Sequence, residues 1–151
     1  MLEKSISKNN ENNFNAAIYG TLAILSGLIA PVFLLFIIKY TGYSEVIEEI
    51  AKAAVVFFII LKLPNLKTRL LGAFIFGFLF GLSENVFYLS NFLDFNGFQV
   101  FLQRFLWTVP MHIATVLIIL LFASIKKEFI ILGLFLGIIL HLLFNQIILT
   151  I

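Results

Sequence analysis

The side chains of this protein that could do chemistry are carboxylates, imidazoles and an amide that recur at four-residue spacing within apolar segments. Carboxylates and imidazoles act as general bases and acids, and imidazoles or amides can donate hydrogen bonds to a developing oxyanion. Because an α-helix has 3.6 residues per turn, a four-residue step keeps side chains on nearly one helix face. Four such sets occur: Glu48 with Lys52, Glu84 with Tyr88, Arg104 with Thr108 and His112, and His141 with Asn145.

The composition indicates an integral membrane protein. Hydrophobic residues make up 62% of the 151 residues and charged residues 12%, whereas soluble domains have about 45–50% and about 25%. An ionised side chain at the centre of a membrane helix costs about 2.5–3.5 kcal/mol, so such residues usually face the bundle interior and are functional. Since lipid cannot hydrogen-bond the four polar sets, we expect these sets to face one another.

The basic residues and the absence of cysteine exclude several functions. The 10 Lys and Arg residues are scattered along the chain, so no basic tract predicts a nucleic-acid partner. The cysteine count is 0, which excludes a disulfide framework, a thiolate nucleophile and a thiolate metal site. The available chemistry is therefore that of carboxylates, imidazoles, hydroxyls and amides.

The elements that must position the polar sets are apolar segments of membrane-spanning length. We expect an all-α polytopic membrane helix bundle of about five transmembrane helices, four of them forming the catalytic core. Residues 1–15 predict a disordered polar tail, and residues 16–151 a single transmembrane domain with a motif-bearing core at about 44–148. The apolar segments are 17–38, 44–63, 70–92, 98–125 and 129–151, and a tight loop at 64–69 separates the second from the third.

Two GxxxG steps predict close contacts between helices. They run from Gly77 to Gly81 and from Gly133 to Gly137. Small residues at this spacing let the backbones of two membrane helices approach each other. We interpret all four glycines as packing residues rather than as part of a reactive site.

The distribution of positive charge predicts the orientation of the bundle. Seven Lys and Arg residues lie on the side of the N-terminus and at most three near the opposite side. The positive-inside rule then places the N-terminus in the cytoplasm, most simply at a prokaryotic plasma membrane. With alternating helix directions, the polar sets lie within roughly 10–15 Å of the external face. We therefore predict one water-accessible pocket that opens to the outside.

Four motifs on successive segments resemble a known family. EEIAK (48–52) fits EExxK, FGLSENVFY (80–88) fits FxxxExxxY, RFLWTVPMH (104–112) supplies an Arg and a His, and HLLFN (141–145) fits HxxxN. Together and in this order they resemble the PrsW intramembrane proteases, which belong to the superfamily of type II CAAX prenyl endopeptidases and bacteriocin-processing proteases. The chain differs from the prenyl endopeptidases in having Glu84 where they have a His.

The resemblance implies peptide hydrolysis of the glutamic type inside the membrane, without a cofactor. It implies a membrane-anchored protein or peptide as the substrate, such as an anti-sigma factor cut on its extracytoplasmic side. The lipid bilayer is then the other partner, and the oligomeric state is left open. The implied catalytic residues are Glu48 as the base, His141 and Asn145 at the oxyanion, His112 and Glu84 as proton carrier and orienting group, and Glu49 as a partner of Lys52 or Arg104. Tyr88 is a further supporting residue, more typical of an anchor at the membrane interface.

Three alternatives compete with this interpretation. In the first, Glu84, His112 and His141 hold a zinc ion and Glu48 is the base; we rank it lower because the sequence has no HExxH pair. In the second, the protein is a non-catalytic scaffold or a bacteriocin-immunity-like protein that uses the pocket for binding. In the third, it is a small transporter, which the lack of an inverted repeat disfavours.

Overall fold

The computed structural model describes residues 2–89 and 97–148, and these residues form helices joined by short turns. The helices are α1 Leu2–Thr41, α2 Ser44–Lys62, α3 Leu66–Leu89, α4 Gly97–Ile125 and α5 Ile130–Ile148, with a 3-10 turn at Lys127–Phe129 before α5. No strand occurs in these two ranges. The predicted all-α architecture of five long helices is therefore confirmed.

Four of the helices contain a segment that is long and apolar enough to cross a membrane. These segments are Phe14–Thr41, Leu66–Val86, Phe101–Ile125 and Lys127–Ile147. Helix α2 is not among them, because its first half contains four charged residues. These are Glu45, Glu48, Glu49 and Lys52. The last three of these are buried inside the protein. Hence the charges of α2 are turned toward the other helices, as expected for polar groups in a membrane bundle.

Helix α1 lies at the edge of the bundle. The structure continues α1 through residues 2–15, which the sequence analysis assigned to a polar tail, and the candidate span within it begins at Phe14. It packs against α2 and α3, and the Ser83 hydroxyl of α3 donates a hydrogen bond to the Leu28 carbonyl at 2.8 Å. Gly42 follows α1 with a φ of 75°, a left-handed conformation that glycine adopts without strain. This turn reverses the chain and starts α2.

The start of α3 differs from the prediction. The loop was expected to include residues 64–69, but the helix already begins at Leu66. The reason is Asn65, whose Oδ1 accepts a hydrogen bond from the Thr68 backbone N–H at 2.9 Å. An asparagine at this position satisfies an amide that has no partner within the first helical turn. The connection between α2 and α3 is therefore very short.

Helices α3, α4 and α5 are held close together by the GxxxG glycines. A Cβ atom at Gly77 would lie 2.9 Å from Ile113 Cα, and one at Gly133 would lie 2.8 Å from Ile119 Cα. Both distances are too short for any side chain. The interpretation of these glycines as packing residues therefore agrees with the structure, and the close approach brings the polar faces of α3, α4 and α5 together.

The apolar core fills the half of the bundle in which α2 and α4 end and α3 begins. Its fully buried members include Val56, Ile59, Phe76, Ile119 and Leu120. On α2, the core residues lie on the same face as Glu49 and Lys52, three to four residues apart along the helix. The buried face of α2 is thus apolar toward its end and charged toward its beginning, where the candidate site lies.

Candidate active site

Four helices each bring a polar side chain into one buried cluster. Helix α2 contributes Glu48, Glu49 and Lys52, while Glu84 comes from α3, His112 from α4 and His141 from α5. Glu49, Lys52 and His112 are 0% exposed, and His141 is 3% exposed. The six residues come from the predicted set, so the structure brings most of that set together.

Glu49 is the centre of one half of the cluster. Its Oε1 accepts a hydrogen bond from Lys52 Nζ at 2.6 Å and lies 2.9 Å from His141 Nδ1. A carboxylate next to Nδ1 favours the tautomer in which this nitrogen carries the proton. His141 Nε2 is then an acceptor with a free lone pair. Glu49 therefore orients the imidazole of His141 and sets which nitrogen faces the rest of the cluster.

Lys52 neutralises the charge of Glu49 inside the bundle. Besides Glu49, its ammonium group donates to Thr115 Oγ1 at 3.3 Å and lies 4.8 Å from the centre of the Phe80 ring. Thr115 in turn donates to the His112 carbonyl at 3.2 Å. A buried ion pair persists when hydrogen bonds satisfy its remaining donors and acceptors. Lys52 thus links α2 to α4 rather than facing an open site.

His112 lies against Glu84 on the neighbouring helix. Its Nε2 lies next to Glu84 Oε2, without the alignment of a hydrogen bond, and the two form an ion pair only when the imidazole is protonated. The approach depends on Gly81, because a Cβ atom there would lie 3.0 Å from His112 Cδ2. On its other side, the His112 ring meets the His141 ring edge to face, with the centres 5.4 Å apart. The two imidazoles are therefore neighbours.

Glu48, His112 and His141 converge on one point. Glu48 Oε2 lies 4.0 Å from His141 Nε2, and one donor atom from each of the three residues lies within 4.8 Å of the others. Glu48 Oε2 and His112 Nδ1 are shielded from solvent and have no hydrogen-bond partner among the described residues. An unsatisfied buried polar atom costs about 1–3 kcal/mol, so these atoms call for a ligand.

The donor set fits a divalent metal ion. Two imidazoles and one carboxylate form a set that proteins use for catalytic zinc, with one position left for water or substrate. Metal ligation would satisfy Glu48 Oε2 and one ring nitrogen of His112. The carboxylate of Glu49 on His141 is the kind of second contact that holds a ligating imidazole in place.

Asn145 is held by a residue that the sequence analysis missed. Its Nδ2 donates to Glu45 Oε1 at 2.9 Å, and the Ser44 hydroxyl donates to Glu45 Oε2 at 3.0 Å. Glu45 lies three residues before Glu48 and seven before Lys52, so helical spacing could have placed it on the same face. One hydrogen of the amide that was predicted to face an oxyanion is therefore engaged with Glu45, at the mouth of the cluster where α2 begins.

The two remaining supporting residues of the prediction are Arg104 and Tyr88. Arg104 is half-buried on α4, eight residues before His112. The side chain of Tyr88 lies outside the described residues. Of the two partners considered for Glu49, the structure shows Lys52.

One protein family matches the chain. Its sequence profile, described as PrsW family intramembrane metalloprotease, covers residues 15–151. No curated protein and no solved structure matches the chain. The matched range includes every residue of the cluster.

The expectation that no cofactor takes part is wrong, because the matching family is one of metalloproteases. The metal-free interpretation rested on the lack of an HExxH pair, in which both imidazoles come from one helix. Here the candidate donors come from α2, α4 and α5. Since three separate helices supply them, no short motif on one helix can reveal the ligand set.

Proposed function

Because the chain belongs to the PrsW family of intramembrane metalloproteases, we propose that it hydrolyses a peptide bond in a membrane-anchored protein or peptide. In this proposal a divalent ion, most simply Zn²⁺, is held by Glu48, His112 and His141. The observation that carries the proposal is the convergence of their donor atoms within 4.8 Å in a buried cluster. Such an ion supplies Lewis acidity, which polarises a carbonyl group and makes water more acidic.

Glu49 and Lys52 position the imidazole of His141 in this mechanism. Glu49 keeps the proton of His141 on Nδ1, and Lys52 balances the charge of Glu49 at 2.6 Å. Because Lys52 neutralises Glu49, the pair adds no net negative charge next to the ligand set. Glu49 acts through its contact with His141, and Lys52 acts through its contact with Glu49. Both are therefore positioning residues.

Glu84 is the proposed general base. It is the remaining carboxylate beside the ligand set, since its Oε2 lies against His112 Nε2. A carboxylate there can take a proton from the attacking water and deliver it to the leaving amine. The roles of the two glutamates are thus exchanged relative to the zinc alternative of the sequence analysis, which made Glu84 the ligand and Glu48 the base.

The cleavage is proposed to occur near the external face of the membrane. The cluster lies in the first half of α2, just after α1 has crossed to that end of the bundle. The excess of Lys and Arg at the other end supports a cytoplasmic N-terminus. A single-span anti-sigma factor is one substrate of the expected class, because its external part would be released by a cut at this depth.

Metal analysis of purified variants tests the division of roles. Glu48→Gln and His141→Ala remove a ligand and should lower the metal content well below one ion per chain. Glu84→Gln should keep the metal and abolish cleavage. Glu128→Gln makes the same chemical change at an exposed position and should alter neither property. Full metal retention by Glu48→Gln would overturn the assignment of Glu48.

Cleavage is best measured by comparing the proteins shed from cells that carry each variant. The proposal predicts a membrane protein whose external part is released with the unmodified chain and with Glu128→Gln, but not with Glu84→Gln. If the protein binds metal and retains a membrane partner while no variant changes any shed product, the non-catalytic scaffold is the correct function.

A further inference from the structure

A second polar site lies toward the other end of the bundle, about 12 residues from the cluster along α2 and α4, or about 18 Å at 1.5 Å per residue. A cavity of about 540 Å³ opens where α2 and α4 end and the 3-10 turn begins. Its apolar wall includes Ile60 and Leu61, and its polar wall is formed by Arg69, Ser124, Lys126 and Lys127. The volume lies within the range of about 300–1,000 Å³ that is typical of ligand pockets.

The polar wall of this cavity is cationic. Three of the residues that line it are basic, and none of its described lining residues is acidic. The nearby Glu128 contacts Lys126 at 3.7 Å, but both side chains are more than 60% exposed, and such pairs contribute little. Part of the positive charge balances the negative ends of α2 and α4. Three cations around one open cavity exceed what that role needs.

Two side chains of the polar wall offer hydrogen-bond donors that suit an anionic ligand. Arg69 donates from Nε to the Leu63 carbonyl at 2.9 Å, which holds the guanidinium at the wall. Its terminal amino groups are the remaining donors of the guanidinium. Ser124 Oγ is shielded from solvent and lacks a partner within the described ranges. A phosphate oxygen would satisfy this hydroxyl and accept from the guanidinium.

We propose that this cavity binds the phosphate of an anionic phospholipid headgroup. The cavity lies at the level where the spans of α3, α4 and α5 begin or end, which is the level of the headgroups. Leu61 and Ile125 at its rim are 49% and 74% exposed, so the acyl chains can continue along an apolar surface. Basic pockets between membrane helices are known to recognise such headgroups through the same chemistry.

Native mass spectrometry of the full chain released from nanodiscs tests the proposal. With phosphatidylglycerol present, we expect one retained lipid per chain, and with phosphatidylcholine alone we expect none. A basic residue near an anionic headgroup contributes about fivefold in affinity, so Lys126→Gln/Lys127→Gln should bind about 25-fold more weakly. Ser124→Ala should bind about tenfold more weakly without any change in charge.

Lys67→Gln is the matched control, because Lys67 lies at the same end but does not line the cavity. It should bind like the unmodified protein. The proposal is overturned if Lys67→Gln weakens lipid binding as much as the double variant does, or if phosphatidylcholine is retained as well as phosphatidylglycerol. Either result would show a general attraction to the protein surface. Displacement of the lipid by millimolar inorganic phosphate would identify a free anion as the ligand and refute the headgroup. If the double variant fails to fold, normal lipid retention by Ser124→Ala refutes the site by itself.

Discussion

Removing the ammonium group of Lys52 should destabilise the bundle because the charge of Glu49 would stay buried without its partner. Both side chains are 0% exposed, and their charged atoms are 2.6 Å apart. Breaking a buried ion pair by removing one partner costs about 3–5 kcal/mol. Lys52→Met keeps the volume of the side chain and removes the charge, so we expect a loss of this size in the free energy of unfolding.

The double variant Lys52→Met/Glu49→Gln isolates the electrostatic part of this loss. It removes both charges and leaves a carbonyl oxygen that can still accept a hydrogen bond from His141. It also loses the hydrogen bond of Lys52 to Thr115 at 3.3 Å, which costs about 0.5–1.5 kcal/mol, and the contact with the Phe80 ring at 4.8 Å, which costs about 0.5–2 kcal/mol. The double variant should therefore be more stable than Lys52→Met by about 2 kcal/mol or more.

Reversible unfolding in mixed micelles, followed by circular dichroism, provides the free energies. Lys62→Met is the control, because Lys62 is exposed and only lies over the Tyr19 ring at 4.8 Å; its loss should cost less than about 1 kcal/mol. The reasoning is refuted if Lys52→Met also costs less than about 1 kcal/mol, or if the double variant is no more stable than the single one.

Three further predictions concern packing, the mouth of the cluster and metal removal. Gly77→Ala should cost about 1–3 kcal/mol, since its Cβ would lie 2.9 Å from the Ile113 backbone, whereas Gly20→Ala meets nothing closer than 3.6 Å and should be nearly neutral in the same unfolding assay. Glu45→Ala frees the amide of Asn145 and should slow cleavage without changing metal content, which a loss of metal would contradict. A strong chelator should abolish cleavage and lower the unfolding midpoint, because an ion at 100 times its dissociation constant stabilises by about 2.7 kcal/mol; an unchanged midpoint with full activity would argue against a metal enzyme.

The architecture and much of the cluster could be predicted because both follow from periodicity in an apolar chain. Glu48 and Lys52 lie one turn apart, and polar groups in lipid must face inward, so the direction of their helix face follows from the sequence. The same reasoning places Glu84, His112 and His141 toward a common interior. The family resemblance seen in the motifs agrees with the profile that matches residues 15–151.

The parts that could not be predicted depend on how each helix is rotated against its neighbours. The hydrogen bond between Glu45 and Asn145 joins residues 100 positions apart, and no spacing rule within one helix describes it. The same is true of the carboxylate donor: the zinc alternative named His112 and His141 but took Glu84 as the third ligand, whereas the structure brings Glu48 to them. The predicted start of α3 was wrong because the Asn65 side chain caps the helix. This hydrogen bond lets the polar residues 66–69, which had predicted a loop, form the first helical turn.

The central claim is that Glu48, His112 and His141 bind one divalent metal ion, and X-ray absorption at the metal edge tests it most directly. For the purified full chain loaded with zinc, the account predicts two imidazole ligands and one carboxylate, with one imidazole lost in His112→Gln. A bound ion with oxygen ligands alone, or a spectrum that His112→Gln leaves unchanged, would contradict it.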